Sequence, residues 1–341
     1  MISSAGLSAD ASLFPDAVDV ASARVSLVKV SRADLAGEAF LDERWDRTGL
    51  ARDIRPLSAL APRADMTGSG LLFIWHTAFC CSTLLARCLD KPGQNLALRE
   101  PAALMGVASL YRTGRASEAR SALAGIIGQM AAGLGQDPCV TIKPTNTVNN
   151  LLPECAELFA QSRHVLLSSS LKSFLISIAK KGEAGRAFAR QMFTVFALDG
   201  HAIARTDQRQ LMQMSDLQIA ALVWHMQMEN FRSALKRFGP ERFVWLDGDA
   251  FVSKPAQALS ALDEWAGLGL GASHARDTAD GSLLTRNAKS PDEAFGASTR
   301  QSQAEQIAAQ LGPELDQIVN WSCGLFPGSN ADGHLPVALT Y

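Results

Sequence analysis

The stretch LLFIWHTAFCCSTLLARCLD, from Leu71 to Asp90, restricts the fold more than any other part of the chain. It reads as strand, tight turn and helix in immediate succession. Leu71 to Trp75 is a continuous apolar run, the pattern of a parallel strand buried on both faces. His76 to Cys81 carries small and thiol residues where the chain must turn. Ser82 and Thr83 then open a segment in which Leu84, Leu85, Cys88 and Leu89 recur at helical spacing, so both hydroxyls belong to a helix N-terminus. Free N–H groups and the positive end of the helix dipole favour a phosphate or sulfate at such a place.

The same stretch excludes two alternatives. A membrane helix needs ~20 apolar residues, and this run is shorter and broken by His76, Ser82, Thr83 and Arg87. A Walker A loop needs glycines and a lysine before its hydroxyl, and those places hold Ala78, Phe79, Cys80 and Cys81. A conventional ATPase or GTPase is therefore disfavoured. An ordinary buried strand and helix without a ligand stays open on the local pattern alone.

With 341 residues the chain has room for one large α/β domain or two small ones. A net charge of −2 and a pI near 6.3 give no global basic field for nucleic acid or an anionic membrane. The start, MISSAGLSAD, lacks the basic and apolar regions of a secretory signal, and no segment reads as a membrane span. Cys80, Cys81, Cys88, Cys139, Cys155 and Cys323 show no metal-ligand spacing. The expectation is a cytoplasmic protein with reduced thiols and no metal.

Residues 1–64 read as an N-terminal extension packed on a main domain of residues 65–341, with one strand at Arg24 to Val30. Further strands are predicted at Asn95 to Leu98, Cys139 to Ile142, His164 to Leu167 and Phe243 to Leu246. Helices are predicted from Ser117 to about Leu134, from Leu171 to Ala179, and from Pro255 to Leu268 after a loop, DGDAFVSKP. Ser215 and Gln218 form a capping box for a long helix that runs to Gly239, a C-cap. Strands alternating with helices predict an α/β fold with a parallel sheet and helices on both faces, in three layers. Ligands bind such sheets beyond the C-terminal strand ends, where Cys80 to Thr83, Glu100, Lys143 and Ser169 fall.

CCSTLL at Cys80 to Leu85, IKPTN then LLP at Ile142 to Pro153, VLLSSSLKSFLIS at Val165 to Ser177, and WLDGDAFVSKPAQALSALDEWAGLGL at Trp245 to Leu270 together resemble the P-loop-like sulfotransferases. The resemblance covers about residues 70 to 325 and implies a P-loop NTPase-like sheet. It also implies transfer of a sulfuryl group from 3′-phosphoadenosine 5′-phosphosulfate (PAPS) to a hydroxyl or amine of a small-molecule, saccharide or peptide acceptor. Phe79 stands where the family's donor loop carries Lys or Arg, Cys81 replaces its glycine, and Ser169 aligns with its 3′-phosphate arginine. The member is therefore a divergent one.

The resemblance assigns the donor cradle to Cys80, Cys81, Ser82 and Thr83, and the 3′-phosphate to Ser169 and Ser177, with Arg286 and Lys289 of the C-terminal segment supplying charge. It makes Lys143 the cation that absorbs developing charge and Glu100 the base, both requirements of sulfuryl transfer. Each assignment has a plainer counterpart in the residues themselves. Ser82 can simply cap the helix, Lys143 can be a solvated strand-end lysine, and Arg99-Glu100-Pro101 can be a structural turn. His76 is a rival base or a hydrogen-bonded core histidine. Vicinal Cys80 and Cys81 either form a lowered-pKa thiolate pair or pack a tight turn. Two other functions stay open: another nucleotide-dependent P-loop-like transferase or kinase, with Asp247 and Asp249 as the acids, and a degenerate non-catalytic phospho-ligand-binding member. A homodimer is compatible with all three.

Overall fold

The computed structural model describes residues 12–60, 67–132, 137–201, 207–284, 297–326 and 328–341. It is an α/β structure whose parallel five-stranded sheet is flanked by helices. In chain order the described elements are β1 (Ser12–Asp19), β2 (Arg24–Val30), α1 (Arg32–Gly37), β3 (Arg52–Pro56), β4 (Leu71–His76), α2 (Ser82–Leu89), β5 (Asn95–Arg99), α3 (Ala103–Arg112) and α4 (Ala116–Ala132). There follow β6 (Cys139–Lys143), α5 (Leu152–Leu158), β7 (Arg163–Ser168), α6 (Leu171–Lys180), α7 (Gly182–Leu198), α8 (Gln208–Gln213) and α9 (Asp216–Phe238). The chain closes with β8 (Phe243–Asp247), α10 (Gly248–Ser253), α11 (Pro255–Ala266), α12 (Ala272–Asp280) and α13 (Ala297–Leu325). The parallel sheet has the order β5-β6-β4-β7-β8, and every residue of β4, β5 and β6 is buried, as continuous apolar runs require.

The fold divides into two compact units. The first gathers the chain up to Ile74, Leu85–Arg163 and Asp263–Ala272. Its N-terminal part holds three antiparallel strands, β1-β2-β3, where the pattern predicts only Arg24 to Val30. Phe14, Val25, Leu27 and Val28 are buried, and β1 packs on α3 and α4. The sequence hides β1 because Pro15 and Asp16 interrupt its apolar alternation, and a register shift between Pro15 and Ala17 absorbs them. β5 and β6 run parallel from Asn95 opposite Cys139 to Arg99 opposite Lys143, so both strands end together. Arg99, fully buried, donates to the carbonyls of Leu35, Ala36 and Glu38 and so satisfies the C-terminal end of α1. Burial pulls its guanidinium down to about 10.

The second unit contains Trp75–Leu84, His164–Leu262 and Ser273–Tyr341. β7 and β8 pair in parallel from His164 opposite Phe243 to Ser168 opposite Asp247. The free edge of β8 is covered by the chain end, since Trp245 N–H donates to Val337 (2.8 Å) and Leu339 N–H to Trp245 (2.8 Å). The capping box at Ser215 and Gln218 forms as predicted, and Gly239 ends α9 with φ +80°. Ile219 to Met228 are buried without interruption, so the first half of α9 is enclosed on all sides rather than amphipathic. DGDAFVSKP is not a loop as predicted but contains α10. Asp247 caps it by accepting from Asp249 N–H (2.7 Å) and Ala250 N–H (3.2 Å), and burial pushes the Asp247 carboxyl up. Among the described residues no helix is long and apolar enough to cross a membrane.

Candidate functional site

In the second unit the turn between β4 and α2 has an unusual backbone. Ala78, Phe79 and Cys81 all adopt positive φ, at 71°, 55° and 62°, a conformation that glycine reaches freely and other residues reach at a cost of about 1–2 kcal/mol each. The turn therefore keeps a glycine-type shape without glycine. Its surroundings enforce that shape. Thr77 N–H donates to Leu167 of β7 (3.2 Å), Cys80 Sγ lies 3.5 Å from the same carbonyl, and Gln227 Nε2 of α9 donates to Thr77 (3.2 Å). Gly248 opens α10 directly against the Cys80 carbonyl, where any Cβ would collide. Strain held in this way clusters at binding loops.

The predicted cradle residues Cys80, Cys81, Ser82 and Thr83 are thus brought onto one turn and the first turn of α2. Thr83 Oγ1 is buried without a hydrogen-bond partner among the described residues, and so are Thr77 Oγ1 and Ser169 Oγ. An unmatched buried hydroxyl costs about 1–3 kcal/mol. His76 Nδ1 accepts from Ala78 N–H (3.1 Å), which commits that nitrogen to the turn. Phe79 packs between Phe174 and Phe188, with ring centroids at 5.9 and 5.1 Å, and Lys181 Nζ lies 5.7 Å from its centroid. Ser177 Oγ donates to Ser173 of its own helix (2.9 Å), so its proton is already engaged. Arg286 and Lys289 lie outside the described residues.

The first unit brings Glu100 and Lys143 together. Lys143, at the end of β6 and fully buried, forms an ion pair through Nζ with Glu100 Oε1. It is not a solvated strand-end lysine. Glu100 follows β5 with φ +56°, and its N–H donates to the Lys143 carbonyl (2.7 Å). That left-handed residue turns the chain at the strand end and carries the carboxylate to the lysine.

Glu100 has a second partner that the sequence does not announce. Arg44 Nη2 donates to Glu100 Oε2 (3.1 Å), and Arg44 Nε donates to Asp42 Oδ1 (2.8 Å) and Oδ2 (3.0 Å). The Arg44 guanidinium lies 3.5 Å over the Phe40 ring, and Lys143 Nζ lies 5.9 Å from the same centroid. Burial works against ionised Asp42, but the hydrogen bonds and charge of Arg44 outweigh it and hold the carboxyl below its ordinary value. The result is an alternating chain, Asp42, Arg44, Glu100, Lys143. Sequence reasoning misses Asp42 and Arg44 because LDERWDR reads as a solvated charged turn in a segment before the resemblance begins. Gln227 carries a signal, as a polar residue inside an apolar helical run. Among the described residues no group of three or more His, Cys, Asp or Glu side chains is placed to hold a metal ion.

No family model matches the chain, and no curated protein matches it at a significant level. Among solved structures, the sulfotransferase domain from the curacin biosynthetic pathway is similar at 18% identity and a TM-score of 0.45, covering 71% of this chain and 97% of that one. Sulfotransferase STF9 from Mycobacterium avium is similar at 11% identity and a TM-score of 0.38, covering 77% of this chain and 79% of that one.

Proposed function

We propose that this chain is a sulfotransferase that moves a sulfuryl group from PAPS to a hydroxyl or amine acceptor. The observation that carries the reading is the turn from His76 to Cys81, which keeps three non-glycine residues left-handed in front of a helix N-terminus. Strain of this kind clusters at binding loops, and a helix N-terminus offers an anion its free N–H groups. The donor supplies an activated sulfuryl group, and the chain's part is to hold it, absorb charge and remove a proton. Backbone N–H groups at Cys80 and Cys81, with the hydroxyls of Ser82 and Thr83, hold the 5′ end. Ser169, whose buried hydroxyl lacks a partner among the described residues, serves the 3′-phosphate as a neutral donor. Lys143 provides the cation, and Glu100 accepts the proton of the acceptor. His76, with Nδ1 committed to the turn, shapes the cradle.

A second reading is supported by Phe79. Where the resemblance implies a cation, its ring is packed among Phe174 and Phe188, which suits a member that binds a phosphorylated ligand without turning it over. A kinase-like alternative has less support, because the Asp247 carboxylate is engaged in capping α10.

Calorimetric titration with adenosine 3′,5′-bisphosphate, alongside ATP and GTP with magnesium, separates the three. Saturable one-to-one binding of the bisphosphate alone, lost in a folded Lys143→Ala variant, is expected. Transfer from sulfur-labelled PAPS to a pooled set of phenols, alcohols and amines should then vanish in Glu100→Gln while bisphosphate binding survives. Absence of bisphosphate binding sinks the PAPS assignment. Binding without transfer favours the non-catalytic reading, and a response to ATP or GTP instead favours the kinase-like one.

A further inference from the structure

We infer that Arg44, from the N-terminal segment that precedes the sulfotransferase resemblance, is a positioning residue for the carboxylate of Glu100, an inference that rests on the base role proposed above for Glu100. The segment is fixed where it meets the strand end. Leu41 N–H donates to Arg99 (2.7 Å), Ala102 N–H donates to Leu41 (3.0 Å), and Phe40, Leu41 and Trp45 are buried. The Glu100 backbone is fixed as well, by its left-handed conformation and its N–H bond to Lys143. What remains adjustable is rotation of the carboxylate. Lys143 alone holds one oxygen, which leaves the plane of the group free to turn about that contact. Arg44 on the other oxygen removes this freedom.

A half-exposed arginine in a single surface ion pair contributes little. Arg44 is half exposed, yet Asp42, the Phe40 face and Glu100 constrain it together. Asp42, almost wholly buried, neutralises the added charge, so Glu100 gains a geometric partner at little cost in net charge. A carboxylate has about four lone-pair sites, and the two held oxygens keep others for an incoming proton. The charged groups facing this assembly are Lys143 and Arg44 at Glu100, Asp42 and Glu43 at Arg44, and Arg47 at Asp42.

The test is a carbon NMR spectrum, at one neutral pH, of the full-length protein labelled at glutamate carboxyl carbons, with the Glu100 signal assigned by its loss in Glu100→Gln. Arg44→Met should move and broaden the Glu100 carboxyl signal, because the group regains rotation about its remaining contact with Lys143. Arg44→Lys should restore most of the signal's position. In the labelled-PAPS assay Arg44→Met should lower kcat about tenfold with the acceptor KM held within about twofold, since a misoriented base slows proton transfer rather than binding. Should Arg44→Met fail to fold because Asp42 is left unpaired, adding Asp42→Asn removes that buried charge and keeps the signal readable. An unmoved Glu100 signal in a folded variant overturns the inference. Absence of bisphosphate binding by the wild type overturns the PAPS reading instead, and the NMR result still decides whether Arg44 governs Glu100.

Discussion

The turn at His76 to Cys81 and the charged chain at Glu100 and Lys143 are built from opposite materials. The turn is a backbone construction, in which shape comes from left-handed residues, a close Gly248 and bonds to Leu167 and Gln227. The charged chain is a side-chain construction, in which Asp42, Arg44, Glu100 and Lys143 alternate in sign over fixed strand ends. Backbone N–H groups are the same whatever residue carries them, so a turn can lose its glycines and keep its offer to an anion. Side-chain sites have no such latitude. Under the function proposed above, the backbone N–H groups at Cys81 serve the donor whatever side chain they carry, whereas Glu100 and Lys143 act through their side chains.

The largest expected effect breaks the side-chain construction. Lys143→Met removes the fully buried partner and leaves Glu100 facing half-exposed Arg44 alone, and breaking the pair in this way should cost about 2–3 kcal/mol. Lys143→Met combined with Glu100→Gln should recover most of that loss, because no uncompensated charge is left. Urea unfolding followed by tryptophan fluorescence measures both. Equal losses in the single and double variants would show that the loss does not come from the unpaired charge of Glu100.

The same contrast separates what is legible in the sequence from what is not. The strands at Asn95, Cys139, His164 and Phe243 are legible because buried parallel strands are written as unbroken apolar runs, and α4, α6, α9 and α11 because their apolar residues recur at helical spacing. Glu100 and Lys143 are legible as strand-end residues, and Arg99 opposite Lys143 in the register makes their meeting a matter of topology. Arg44 is not, because its contact spans 56 positions and nothing local to LDERWDR distinguishes a buried acid from a solvated one. β1 is hidden by Pro15 and Asp16, and α10 by turn-type residues, DGD, that serve there as a cap. The left-handed residues of the turn are invisible for another reason. Side-chain identity reports a backbone conformation only where glycine or asparagine is used to reach it.

A medium effect sharpens the contrast through pH. Under the turn, Trp75 Nε1 donates to His164 Nδ1 (3.1 Å), and the imidazole stacks on Phe243 with centroids 4.7 Å apart. Burial, helped by Arg242, drives the His164 pKa down to about 3. The unfolded chain keeps a value of about 6.5, so between these limits only the unfolded state takes up the proton. Stability from this group is therefore complete above pH of about 6.5 and is lost as the pH falls toward 3, at up to about 1.4 kcal/mol per pH unit. His164→Gln should flatten the acid slope of unfolding free energy by that share. Urea midpoints collected in steps from neutral to mildly acidic buffer decide this. An unchanged slope in His164→Gln would mean that the imidazole is not held neutral.

The smallest effect tests the backbone construction itself. Cys81 sits at φ +62°, so Cys81→Gly relieves strain of about 1–2 kcal/mol. The glycine also frees the unfolded chain, which takes back about 0.4–1 kcal/mol. The net is a gain of about half a kcal/mol to one, read as a small rise in thermal midpoint. Cys81→Val should move the other way by about 1–2 kcal/mol, because a β-branched side chain resists the left-handed region. The sign reversal matters more than either magnitude, since it separates a conformational role from a packing one. Bisphosphate titration of the same two proteins completes the test. If the N–H groups bind the anion, Cys81→Gly keeps its affinity within about twofold, and Cys81→Val loses affinity with the shape of the turn. Abolished binding in a stable Cys81→Gly protein would make the thiol a ligand in its own right, and the turn would then belong with Glu100 and Lys143 as a site made by side chains.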